Sequence, residues 1–396
     1  MKKFVIILLA VCLILGCAVG YFAAKNGAEP AADEVPAELP AEETEAGAIR
    51  TLDYAAIRAL HEPEEIVGTA AGRDVTWEEY FYWLHSEGAE AEQYIQSLAM
   101  YGQSLDWTDK LSADSEETLA EYVVSLAQLY SGQLNVIEAV AEENGVVLTE
   151  ENERELAERL QQAIAGACGE GASEQDFNAM LEERLISRAM YDRLERANYL
   201  YQNTFTALYG ENGEKLSEEE ALAYLRDKDY LCASHILFMT VDMATGEKLD
   251  EAAAAAKLQQ AQEVSAELRA IEDVQERVGR FAELKQQYCE DTGKENFPEG
   301  YLFTPGAMVA EFESGVRELG EYEVSEPILT SYGYHVIMRL PLSVEMTMEY
   351  SNAGTPLNAR AVCADEQFNV MMTGRMEAAE FVLRDGFAID LTQYLK

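Results

Sequence analysis

Apolar positions along the chain follow two different periods. Residues 66–75 alternate tightly around Gly68 and Gly72, which predicts a short hairpin. Thr76-Trp77-Glu78-Glu79 then reads as a capping box that opens a helix carrying Tyr80, Phe81, Trp83 and Leu84. These aromatics recur at helical spacing, so core packing is expected of them. From Glu116 to Asn144 the apolar positions keep a 3.6-residue period, and Gly145 fits as the C′ residue of one helix. A second helix follows Thr149. A third is expected from Ser173, partnered by Asp176, to about Tyr199. Ser217-Glu218-Glu219-Glu220 is a further capping box. The pattern then changes. Cys232–Phe238 and Ser331–Ile337 are short apolar runs of strand character, each with one histidine, His235 and His335. Helical runs near 250–270, 280–290 and 307–318 lie between them, and another extends from Ala359 to about Leu383.

The ends of the chain differ from this body. Lys2 and Lys3 precede an apolar run from Phe4 to Leu15, followed by Gly16-Cys17. Ile14-Leu15-Gly16-Cys17 resembles a bacterial lipobox, in which Cys17 would carry the lipid. The apolar stretch continues to Ala24, long enough to span a bilayer as an uncleaved anchor. Both readings attach the protein to a membrane and place its bulk on the extracytoplasmic face, because the two lysines stay inside. Residues 27–49 hold Pro30, Pro36 and Pro40 among Ala and Glu, a composition that stays extended and unfolded. The expected organisation is therefore a signal peptide or anchor at 1–26, an acidic Pro/Ala linker at 27–49, a helical domain at 50–229, a second domain at 230–343, and a C-terminal segment at 344–396 that packs back on the helical domain.

Charge and cysteines exclude several classes. With 73 acidic against 29 basic residues the formal net charge is -44, which argues against nucleic acid as a partner. Besides Cys12 and Cys17, the cysteines Cys168, Cys232, Cys289 and Cys363 are scattered without CxxC spacing, so no metal site is expected. The glycines between Gly166 and Gly171 follow no strand and precede no lysine, so they break a helix and do not cradle phosphate. No cofactor motif is present.

The chemistry concentrates between 230 and 343. His235 in its apolar run is followed by Phe281-Ala282-Glu283-Leu284, then by Tyr288-Cys289-Glu290-Asp291. Pro305-Gly306-Ala307-Met308-Val309-Ala310-Glu311-Phe312-Glu313 comes next, and then Gly320–Ile328 and His335. In this order the segment resembles the parvulin family of peptidyl-prolyl cis/trans isomerases. With the hairpin and helices upstream and the lipobox-like start, the whole chain resembles PrsA-type foldase lipoproteins and SurA-like chaperones. The resemblance implies an α+β protein: a mostly helical chaperone-like domain with an inserted parvulin domain, itself a four-stranded antiparallel sheet flanked by helices.

It also implies a site. Met308 and Phe312, four apart on one helix face, would join Phe303 in an apolar pocket for the proline ring. His235 and His335 would form the floor, linked by a mutual hydrogen bond, and Thr330 would join that network. Asp291 falls where parvulins carry Cys or Asp, beside the carbonyl before proline; Asp291-Thr292-Gly293 has turn chemistry as well. Two histidines inside matching motifs point to function over a purely structural role, and that function can be to build the site and not to move protons. One departure stands out. Most parvulins carry Gly-Gly-Asp-Leu-Gly-aromatic-Phe where this chain has Asn296-Phe297-Pro298-Glu299-Gly300-Tyr301-Leu302-Phe303. The loop from Thr240 to Asp250 holds only Lys248 among acids, so phosphopeptides are not the expected substrate. The implied partners are unfolded exported polypeptides with X-Pro bonds, and no metal or cofactor is required. A holdase with a catalytically idle parvulin fold is the alternative.

Overall fold

The structure, a computed structural model, describes residues 49–112, 115–242, 244–350 and 356–396. The expected anchor, Cys17 and nearly all of the linker lie outside these residues. No described helix is long and apolar enough to cross a membrane. The chain divides into two compact units: one runs to Ala207 and resumes at Asn369–Lys396, the other is Leu208–Phe368. These boundaries differ from those expected at 229/230 and 343/344. The helix Glu218–Asp227 and the hairpin Thr347–Tyr350/Pro356–Asn358 belong to the compact body of the second unit.

The first unit contains α1 (Tyr54–Arg58), β1 (Ile66–Ala70), β2 (Arg73–Thr76), α2 (Trp77–Met100), α3 (Leu119–Tyr130), α4 (Gln133–Glu143), α5 (Glu150–Cys168), α6 (Glu174–Glu183) and most of α7 (Arg188–Tyr209). β1 pairs antiparallel with β2 on one side and with the C-terminal strand Val382–Leu383 on the other. Trp77, Tyr80, Phe81, Trp83 and Leu84 are all buried, as a core face of α2 requires.

Three local details depart from the sequence pattern. The Thr76 hydroxyl accepts from Glu79 N, but the Glu79 carboxylate does not close a capping box. It turns inward, accepting from Gly132 N at 2.9 Å and from Arg193 at 2.7 Å. The single helix expected over 116–144 is two, α3 and α4, broken at Ser131-Gly132. Gly132 has φ +91°, and a Cβ there would lie 2.2 Å from the Ala70 Cβ, so the chain turns where only glycine fits. The helix expected from Ser173 is also two, because Leu185 adopts φ 60° between α6 and α7. A continuous apolar period does not reveal such left-handed breaks.

The second unit holds α8 (Glu218–Asp227), β3 (Leu231–Met239), α9 (Glu251–Ala270), α10 (Val274–Tyr288), β4 (Tyr301–Phe303), α11 (Ala310–Glu318), β5 (Ile328–Leu329) and β6 (Gly333–Leu340). The sheet is antiparallel in the order β4-β3-β6-β5. Every residue from Leu231 to Phe238 is buried, since β3 is central and covered on both faces. On one face Ile236, Phe238, Val336 and Met338 pack with Ala261, Val264 and Leu268 of α9 and with Phe281 and Leu284 of α10. On the other, Leu231, Ala233, Phe303 and Ile337 pack with Phe312 and Val316 of α11. The alternation of the strands puts His235 and His335 on this second face.

Candidate active site

Register brings the two histidines together. β3 and β6 pair with His235 opposite Ile337 and Leu237 opposite His335. The histidines are thus diagonal neighbours across the ladder, a separation long side chains can bridge. Their ring centroids are 5.0 Å apart at 82°, edge to face. The mutual hydrogen bond expected from the sequence is absent, because the perpendicular rings do not align a nitrogen with a nitrogen. His335 Nε2 instead hydrogen-bonds with the Thr330 hydroxyl at 2.9 Å. His335 Nδ1 and both nitrogens of His235 make no hydrogen bond, although all are buried.

Asp291 reaches the site through backbone pairing. After α10 ends, Glu290 N donates to Leu237 O at 2.9 Å and Met239 N donates to Glu290 Oε2 at 2.7 Å. Cys289 Sγ accepts from Leu237 N at 3.4 Å. This seam along β3 delivers Asp291 Oδ2 to 3.1 Å from His235 Nε2, an ion-pair separation without hydrogen-bond alignment. Asp291 Oδ1 accepts from Gly293 N, so the residue also makes the turn its sequence suggests. Tyr301 Oη donates to Asp291 Oδ2 at 2.5 Å, and its ring stacks on His235 at 5.5 Å and 14°.

The apolar side adjoins this cluster. Phe312 stands edge-on to both histidines, at 5.3 Å from His235 and 5.4 Å from His335, and tilts against Phe303 at 5.9 Å. Met308 is half-buried against the same cluster. It is not on the helix with Phe312 as expected, since α11 begins only at Ala310. The Pro305-Gly306 turn delays the helix, and Glu313 Oε2 accepts from Gly306 N at 2.7 Å to hold that turn.

The charges separate. Burial lowers the His335 pKa to about 3, and the neighbouring His235 pushes the same way. Burial also opposes protonation of His235, but Asp291 and Cys289 outweigh it and raise its pKa. Asp291 is held well below the usual carboxylate range, chiefly by His235, with Tyr301 and Gly293 N adding to the effect. Asp291 thus favours the charged form of His235, while burial keeps His335 neutral. Among the described residues no group of three or more His, Cys, Asp or Glu is arranged to hold a metal ion.

Seven expected residues, His235, Asp291, His335, Phe303, Met308, Phe312 and Thr330, therefore share one face of one sheet. Residues 235–340 match the rotamase family, the PPIC-type PPIASE domain. The chain carries a parvulin-type domain and resembles PrsA foldases. Foldase protein PrsA of Geobacillus kaustophilus is 28% identical over 250 residues, covering 55% of this chain and 76% of the relative. Foldase protein PrsA 3 of Bacillus anthracis is 45% identical over 73 residues, 17% of this chain and 26% of that relative, so the shared segment is a minor part of its length. The crystal structure of PrsA from Bacillus subtilis aligns over 80% of this chain and 92% of its own, at 17% identity and a TM-score of 0.25.

Sequence reasoning missed three contributors to the parvulin-type site. Tyr301 alternates with Phe303 on β4, and that two-residue spacing alone places both on the histidine face. Cys289 lacks any such signal, because its role lies in a backbone seam. Lys285 is buried on α10, a burial that a helical surface pattern does not reveal.

Proposed function

We propose that the chain is a peptidyl-prolyl cis/trans isomerase that assists the folding of exported polypeptides. The observation that carries this reading is the contact of Phe312 with both strand histidines, an apolar wall meeting a buried polar floor. Rotating an X-Pro bond must overcome a barrier of roughly 18–20 kcal/mol, set by amide resonance. No bond is made or broken. A catalyst has only to hold the proline ring, strip water from the amide and favour the twisted state. Phe303, Met308 and Phe312 would bind the ring, while His235, His335, Thr330 and Asp291 would shape the polar side. Such rotation takes tens to hundreds of seconds unaided, slow enough to limit folding.

The domain arrangement supports a wider role, with the helical unit gripping clients while the parvulin-type unit acts on their prolines. The N-terminal sequence supports tethering at the extracytoplasmic face of a membrane, through Cys17 or an uncleaved anchor. A protease-coupled proline tetrapeptide assay on the full chain tests the activity. Acceleration abolished by Phe312→Ala in a folded protein is expected; a folded wild type without acceleration would overturn the enzyme reading. A palmitate analogue should label the wild type and not Cys17→Ala; an unlabelled wild type leaves the uncleaved anchor.

The holdase alternative draws on one observation. Tyr94, Met100, Tyr101 and Leu129 are exposed on and just after helices of the first unit, where they present apolar surface to an unfolded chain. Suppression of client aggregation without isomerase activity would favour it.

A further inference from the structure

The segment that departs most from the parvulin pattern, Asn296–Tyr301, is fastened by a group that no part of the proposed chemistry uses. Lys285 lies on α10 and is 8% exposed. Its Nζ donates to Ser234 Oγ at 3.1 Å, to Pro298 O at 2.9 Å and, at the limit of contact, to Phe297 O at 3.5 Å. An ammonium has three donors, and here each meets an oxygen. None of the ion pairs among the described side chains involves it. Burying a cation without a carboxylate is costly, and an apolar side chain would fill the same space on a helix. The charge is therefore placed to tie β3 to the backbone of Phe297 and Pro298.

What hangs on that tie is part of the site. Phe297 leans on the Tyr301 ring at 5.1 Å, and the Tyr301 ring also stacks on His235. Gly300 between them has φ +125°, and a Cβ there would come within 2.6 Å of Ala233 O, so this stretch runs flush against β3. The far end is held by Tyr350 Oη, which donates to Asn296 O at 2.7 Å. Thus the contacts run from Lys285 to Phe297, then Tyr301, then Asp291 and His235.

We propose that Lys285 is a positioning residue for this site: by pinning the Phe297 and Pro298 carbonyls it holds Tyr301 against His235 and Asp291. The proposal rests on the isomerase reading for its kinetic consequence but not for its geometry. Its test is a double-mutant cycle on the full chain with Lys285→Met, Tyr301→Ala and the pair. Lys285→Met should lower kcat/KM roughly ten- to a hundredfold, the scale expected when a site wall shifts by about an ångström. Lys285→Arg, which keeps the charge, should restore most of it. The double variant should be no worse than Tyr301→Ala alone, because the lysine acts through that ring. Additive losses, or full activity in Lys285→Met, would overturn the proposal. If Lys285→Met fails to fold, Lys285→Gln, whose shorter amide cannot reach all three oxygens, takes its place with a smaller loss expected.

A second readout separates this proposal from the function it serves. With fluorotyrosine incorporated, the Tyr301 ¹⁹F resonance is assigned by its loss in Tyr301→Phe. Lys285→Met should move that resonance, since the ring it reports leaves its place against His235 and Asp291. An unmoved resonance sinks the positioning role even if the enzyme is active. A moved resonance with an inactive wild type upholds the geometry and sinks the isomerase reading instead.

Discussion

Two carboxylates, one buried in the helical unit and one half-buried in the parvulin-type unit, meet opposite fates. In the helical unit Glu79 is 1% exposed and fully engaged. It takes Gly132 N and Arg193, while Arg193 also donates to Glu138 at 2.8 Å and to Asn135 at 2.7 Å. Asn135 in turn donates to Asp74 O, which ties the network to the β1–β2 hairpin. In the parvulin-type unit Asp291 faces a histidine pair in which three of four buried ring nitrogens have no hydrogen-bond partner. A saturated network fixes architecture, since every member would lose if one moved. Unsatisfied buried nitrogens cost stability, and they persist where binding something else completes them. The first pattern suits a scaffold, and the second suits the site proposed above.

The sharpest break in this contrast is Phe312→Ala. The ring touches both histidines and Phe303, so its loss opens a cavity beneath the floor of the site. Truncating a buried phenylalanine costs about 3–5 kcal/mol of stability. The substitution should also lower kcat/KM by more than any other single change on this face. Urea denaturation beside the tetrapeptide assay separates the two effects. Full activity in folded Phe312→Ala would mean that the proline pocket lies elsewhere.

Glu79→Ala should do the converse. It leaves Arg193 facing a void and removes the acceptor of Gly132 N, and breaking such a pair costs about 3–5 kcal/mol. Melting should fall sharply while kcat/KM of the folded fraction stays near the wild-type value. A large loss of kcat/KM with unchanged stability would contradict the division between scaffold and site.

A smaller effect is expected of Asp291→Asn. The amide keeps an oxygen for Gly293 N but loses the charged acceptor of Tyr301 Oη and the charge beside His235. Hydrogen bonds to a charged group contribute roughly 1.5–3 kcal/mol, so a difference of that order should appear in urea melts near pH 7. The folded pKa of Asp291 is depressed, so its contribution is present above the unfolded value of about 3.9 and fades as pH falls through the folded one. Wild type and variant should therefore converge in strong acid. A difference that is constant with pH would mean that the carboxylate's charge is not what matters.

The legible part of this site was the part carried by strands and by ordered motifs. His235 and His335 sit in short apolar runs, and the motifs around them put both in strands of one sheet before any register was known. Phe312 and Phe303 followed from the same motifs. Asp291 arrived with its motif, but the pairing of Glu290 N with Leu237 O that positions it is backbone chemistry, which side-chain patterns do not record. Met308 was assigned to a helix that begins two residues later, because Pro305-Gly306 and the Glu313 carboxylate set its start. The breaks at Gly132 and Leu185 were hidden for a related reason. Apolar periodicity runs straight through a left-handed residue when the helices on either side bury the same face. Lys285 drew no notice, since a charged residue on a helix is ordinarily at the surface.

The smallest effect is also the most diagnostic of the polar floor. Ring-proton NMR from pH 5 to 9 should show the two site histidines behaving differently. His235, raised by Asp291 and Cys289 against its burial, should titrate above the ordinary value of about 6.5. His335, lowered to about 3, should not titrate in that range. Their linkages to folding oppose each other. The His235 contribution is fully present below about pH 6.5 and is lost as pH rises through its folded pKa. His335 is neutral when folded and charged when unfolded, so it withdraws stability as pH falls below about 6.5. The two rings together should therefore contribute most near pH 6.5, with stability falling on either side. Because amide rotation moves no proton, kcat/KM should follow only the weak electrostatic influence of His235. Thr330→Val removes the partner of His335 Nε2 and should leave the His235 titration in place. If both rings instead titrate together near 6.5, Asp291 does not favour the charged form of His235, and the neutral floor assigned to His335 fails with it.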